Sequence, residues 1–90
     1  MPNLKRVVLD VLKPHRPNVL ELSGVIAALG ADYRVVVDVT EVDEKTETVM
    51  VEIQGDELDF AKIEQAIRDL GGTIHSIDKV LMCGDGAAEL

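Results

Sequence analysis

Val7-Val8-Leu9-Asp10-Val11 and Val49-Met50-Val51-Glu52-Ile53 are one pattern met twice, 42 positions apart, with an aliphatic residue at every odd number and an acid in the same even slot. Alternation with a period of two is the mark of a strand with one buried face. Two such strands in equivalent places require equivalent surroundings. The residues that follow each copy supply them. Val19, Leu22, Ile26, Leu29 and Gly30 reappear 41 positions later as Phe60, Ile63, Ile67, Leu70 and Gly71, an apolar stripe at helical spacing closed by glycine. The chain is therefore two strand-helix halves.

Working outward, Leu4 to Leu12 reads as β1, halted by Pro14 and Pro17. Asn18 with Glu21 three residues on is an N-cap signature, so α1 is expected over about 18 to 29, with Gly30 as a left-handed stop. Tyr33 to Val42 (β2) and Glu47 to Gln54 (β3) alternate again, and the charged Asp43-Glu44-Lys45-Thr46 between them reads as a hairpin tip. Asp59 caps α2, which ends at Gly71-Gly72. Thr73 to Met82 is β4, whose broken pattern predicts a bulge near Ser76 to Asp78. The expected architecture is α+β: a ferredoxin-like βαββαβ sandwich with a four-stranded antiparallel sheet in the order 4-1-3-2 and both helices on one face. At the centre of that sheet β1 and β3 are expected side by side and parallel. Residues 1–82 form a single domain, and 83–90 read as a frayed tail.

Four spaced motifs carry a family resemblance. They are Val8-Leu9-Asp10-Val11-Leu12-Lys13-Pro14-His15, Glu41-Val42-Asp43, Gly55-Asp56-Glu57-Leu58-Asp59-Phe60 and Gly71-Gly72-Thr73-Ile74-His75-Ser76-Ile77-Asp78. Over residues 4 to 82 the chain resembles the archaeal family catalogued as domain of unknown function 211. The resemblance implies a ferredoxin-like fold, a small stand-alone archaeal protein and a multi-subunit ring. It implies no activity, since the family's name assigns none. The tail from Cys83 to Leu90 lies outside it.

Composition narrows the function classes. The chain has 90 residues, of which 47% are hydrophobic, without Trp and with Tyr33 and Phe60 as its aromatics. A domain this small buries only about 60 to 65% of its unfolded surface, so association with further copies would help it. Apolar runs fall far short of the ~18 residues that cross a bilayer, and the first residues lack a signal peptide's apolar segment. A cytoplasmic location is expected. Seventeen acidic against nine basic side chains give a net charge of −8, which repels nucleic-acid phosphates and anionic membrane faces. Neither is expected as a partner. The lone Cys83 offers no disulfide framework and reads as an incidental thiol.

If the odd-numbered valines of β1, β2 and β3, Val39 included, face the helices, then Val8, Asp10, Leu12, Val36, Asp38, Met50 and Glu52 share the open face. Its aliphatic members predict a second subunit as cover, hence a homo-oligomer. A three-residue hairpin loop would pair Asp38 with Glu52 and set Asp10, Glu52 and Asp38 in a row. Three adjacent carboxylates repel unless a cation, a shared proton or a base intervenes, and an all-oxygen site suits Ca²⁺ or Mg²⁺ better than Zn²⁺. Solvation of the acids, or pairing with Arg6 or a neighbour's Lys, is the plain alternative.

The second candidate is the corner Lys13-Pro14-His15-Arg16-Pro17-Asn18. His15, Arg16 and the free N–H groups that follow Asn18 could capture an anion, as in a small-molecule sensor of the ACT type, though the corner has no glycine-rich loop. Two prolines beside a cap also make a merely rigid corner. His75, Ser76 and Asp78 make a poor triad, because alternation separates the first two unless the bulge intervenes and no oxyanion-hole motif accompanies them, so His75 reads as a hydrogen-bonding residue at a sheet edge or subunit contact. The sequence thus describes a non-enzymatic binding domain with an unidentified small-molecule or cation ligand.

Overall fold

Each repeated valine stretch becomes a central strand of one sheet. The computed structural model describes residues 2–84 and runs β1 (Asn3–Pro14), α1 (Val19–Ala27), β2 (Arg34–Val42), β3 (Thr46–Gln54), α2 (Phe60–Asp69) and β4 (Thr73–Cys83). The sheet order is β2-β3-β1-β4, the expected 4-1-3-2 read from the other edge, and the fold is ferredoxin-like. Every neighbouring pair is antiparallel, including β1 with β3, which had been expected to run parallel. The reason is topological. A helical crossover returns β2 parallel to β1, and the tight hairpin then reverses β3. β4 takes in Cys83, while residues 85–90 of the expected tail lie outside the described residues.

The core follows the half-repeat. Val7, Leu9 and Val11 of β1, Val49, Val51 and Ile53 of β3, Leu22 and Ile26 of α1, and Ile63 and Ile67 of α2 are all fully buried. Val35 and Val37 pack against its margin. Val39 keeps the expected parity but remains 46% exposed. The helices do not reach it. A 9- or 10-residue helix covers about 15 Å, whereas a 12-residue strand extends about 40 Å, and the molecule measures 47 × 22 × 18 Å.

The helix starts are as the sequence implied, but one stop differs. Asn18 Oδ1 accepts from Glu21 N–H at 3.0 Å, and Asp59 Oδ1 accepts from Lys62 N–H at 3.2 Å. At the end of α2, Gly71 has φ +84°, its N–H bonds Arg68 O, and Gly72 N–H bonds Ile67 O, which is the Schellman arrangement. Gly30 is not left-handed. A Cβ there would lie 2.5 Å from two carbons of the Tyr33 ring, so the glycine makes room for that ring, whose hydroxyl accepts from Asp59 N–H at 2.8 Å.

Candidate functional site

The open face of the sheet collects most of the candidate residues, and the strand register orders them in rows. From β4 to β2 these rows read Leu81-Arg6-Gln54-Arg34, then Lys79-Val8-Glu52-Val36, then Ser76-Asp10-Met50-Asp38. Asp10, Asp38 and Glu52 therefore share one face, as alternation requires. They do not form the expected row of three acids. Asp38 pairs with Met50 and not with Glu52, and Asp10 also pairs with Met50.

The cause is the hairpin. Its turn closes with Asp43 N–H on Thr46 O at 2.8 Å, Val42 pairs with Glu47, and a bulge at Thr40 restores the valine faces two residues from the expected register. Glu52 is instead neutralised by Arg6 at 2.7 Å and accepts from Gln54 Nε2 at 2.7 Å. Asp10 and Asp38 have no cationic partner among the described residues. No group of three or more His, Cys, Asp or Glu side chains is placed there to hold a metal ion, again among the described residues.

The β1-to-α1 corner uses its residues on the protein itself. Asn18 spends its side chain on the cap, and His15 turns to the β2-β3 hairpin: Nδ1 lies 2.9 Å from Glu47 Oε1, and Nε2 lies 2.8 Å from Asp43 O and 3.2 Å from Glu44 O. Both ring nitrogens face acceptors, which requires the imidazolium. Its pKa is raised, by the Glu47 hydrogen bond first and then by the Asp43 carbonyl. Glu47 is lowered, chiefly by His15 and also by Lys13, although burial opposes this. Lys13, 2% exposed, donates to Pro14 O at 2.7 Å and pairs with Glu47 at 3.4 Å. His15 and Asn18 are thus engaged within the protein, and Arg16 is exposed. The sequence reading missed the Lys13–Glu47–His15 cluster. Its signal was a base and an acid at odd, core-facing positions next to Val11 and Val49.

In β4 the expected irregularity is two bulges, because His75 and Asp78 are both skipped in the pairing with β1. Ser76 donates to Asp78 Oδ1 at 2.6 Å, and His75 borders a cavity of about 330 Å³ with Asp10, Leu12, Glu41 and Thr48. A serine bonded to a carboxylate without an intervening histidine is not an activated nucleophile. Among the described residues no helix is long and apolar enough to cross a membrane.

Comparison with known proteins agrees with the resemblance and lengthens it. Residues 5–89 match the family described as "Uncharacterized ArCR", domain of unknown function 211, so the match continues into the stretch that the sequence reading had set outside. An uncharacterized protein of Methanocaldococcus jannaschii is 44% identical over 81 residues, covering 90% of this chain and 84% of that protein.

Proposed function

The chain belongs to the archaeal family of domain of unknown function 211, and from that premise we propose that it is a self-assembling binding domain, not an enzyme, whose β4 and open sheet face seat a second copy. The observation that carries this reading is the outer half of β4. Ile77, Val80, Leu81 and Met82 are each about half exposed, although they lie on both faces of the strand. A strand that is apolar on both faces is the pattern of one covered on both faces. Here the short helices leave one face bare, and nothing among the described residues covers the other. Val36 and Leu12 extend the apolar area across the open face.

The bulges at His75 and Asp78 blunt ladder pairing along the edge of β4. Side chains, more than edge hydrogen bonds, then supply the contact. Light scattering is expected to return a mass several times the 9.8 kDa chain. Val80→Lys, which alters an exposed residue and so leaves the fold intact by circular dichroism, is expected to shift that mass to the single chain. A wild-type mass of about 10 kDa at working concentration would discard the reading.

The cation reading is narrower. Ca²⁺ takes six to eight oxygens. With Glu52 held by Arg6, only Asp10 and Asp38 remain, so such a site would need oxygens from a neighbouring copy.

A further inference from the structure

The two edges of the sheet differ. On β4 the bulges at His75 and Asp78 interrupt the ladder, whereas β2 pairs with β3 without a break from Arg34 to Val39. β2 is the last strand on its side, so the outward N–H and C=O groups of this stretch meet no strand, and no loop backbone bonds to them among the described residues. Natural sheets usually blunt such an edge with a proline, a lysine or a bulge. Arg34 to Val39 has none of these.

The side chains show what this edge can pair with. Arg34, Asp38 and Glu41 lie on the open face, opposite Gln54, Met50 and Thr48, and none has an ion pair among the described residues. Asp32, the acid nearest Arg34 in sequence, accepts the Asp56 N–H. A strand with a cation at its start, acids in its second half and valines between is complementary to its own reverse. In an antiparallel pair of two copies like faces must meet, so paired residue numbers differ by an even amount. An axis at Asp38 would set that acid on itself, and an axis at Val36 would leave Val39 beyond the end of the second copy's strand. An axis at Val37 sets Val35 on Val39, and sets Arg34 against the Thr40–Glu41 bulge with Asp38 on the diagonal. Val39, 46% exposed in the single chain, is thereby covered.

We propose that β2 pairs antiparallel with β2 of a second copy about a two-fold axis at Val37, joining two four-stranded sheets into one. This contact is separate from the apolar one at β4 and extends the self-assembly proposed above. One isologous contact closes at two copies, and two different ones carry the assembly further. A short ladder with two solvent-exposed Arg34–Glu41 pairs is weak alone. It holds when chains are concentrated, or when the β4 contact already brings them together.

Sedimentation equilibrium of the Val80→Lys chain, which lacks the β4 contact, reads the β2 contact by itself. That chain is expected to be single at about 10 μM and to approach two copies at about 1 mM. Arg34→Glu and Glu41→Arg, each added to Val80→Lys, should weaken the association about tenfold or more. An equimolar mixture of the two should regain it, because each reversed residue then meets an opposite charge. Glu44→Arg at the hairpin tip should not weaken it. In a Cys83→Ser background, oxidation by copper phenanthroline should link Val37→Cys to its own copy and leave Val42→Cys single. A chain that stays single at the upper concentration, reversals without effect, a mixture that does not recover, or linkage at Val42 in place of Val37 would overturn the proposal. If wild type is a single chain at working concentration, the β4 reading fails, and the β2 contact is still read at the upper concentration.

Discussion

Glu47 accepts from two bases at once, and the consequences are legible in pH. His15 donates to Glu47 and to the Asp43 carbonyl at once only as the imidazolium, and its folded pKa stands above the ordinary value of 6.5. The stability it adds is therefore fully present below that ordinary value and is lost as pH rises through the raised one. Glu47 works in the opposite sense. Its folded pKa lies below 4.5, so its contribution is present above 4.5 and disappears as pH falls through the lowered value. The corner is tightest between the two limits. Urea denaturation of wild type and His15→Gln across pH 5 to 9 is expected to show a stability difference that is largest on the acid side and closes as His15 deprotonates. A difference independent of pH would mean that His15 acts by packing alone. The sequence placed Lys13 and His15 in the corner before α1 and Glu47 at the start of β3. Their union depends on Lys13 pairing across to Glu47, which only the register supplies.

At the scale of elements, two glycines that look equivalent in the half-repeat do different work, and substitution separates them. Gly71 sits at φ +84° in the α2 stop, so Gly71→Ala is expected to destabilise by about 1 kcal/mol through backbone strain whatever its neighbours are. Gly30 has ordinary backbone and lies under the Tyr33 ring, so the cost of Gly30→Ala is steric and should fall sharply when Tyr33 is already Ala. A double-mutant cycle by thermal denaturation reads the coupling, and additive effects at 30 and 33 would refute the close approach. The same contrast marks what was legible in the sequence. Valine parity, both caps and the half-repeat are local periodic signals, and Val7 to Val11 against Val49 to Ile53 fell as the alternation demands. Parity alone allows more than one register of a hairpin, since every shift by two keeps the valines on one side. The turn at Asp43 to Thr46 and the bulge at Thr40 chose among them, and Asp38 met Met50. That one choice dissolved the row of acids and left Glu52 to Arg6, the pairing the plain alternative had named.

For the whole molecule, assembly sets apolar surface against like charge. Each chain carries −8, and copies brought together repel over distances comparable with the ~10 Å Debye length at 0.1 M salt. The contact proposed around Ile77, Val80 and Met82 is apolar, so salt weakens the opposing term far more than the favourable one. Raising NaCl from about 0.05 to 0.5 M is expected to shift the concentration midpoint of assembly downward, read by analytical ultracentrifugation. An interface built on ion pairs would respond in the opposite direction, and dissociation by salt would rule out the apolar contact as its main support. Calcium separates screening from binding. At matched ionic strength CaCl₂ should promote assembly no more than NaCl does, unless Asp10 and Asp38 of neighbouring copies share the ion. In that case the excess should vanish in Asp10→Asn, because the substitution removes one of the carboxylates that would share the ion.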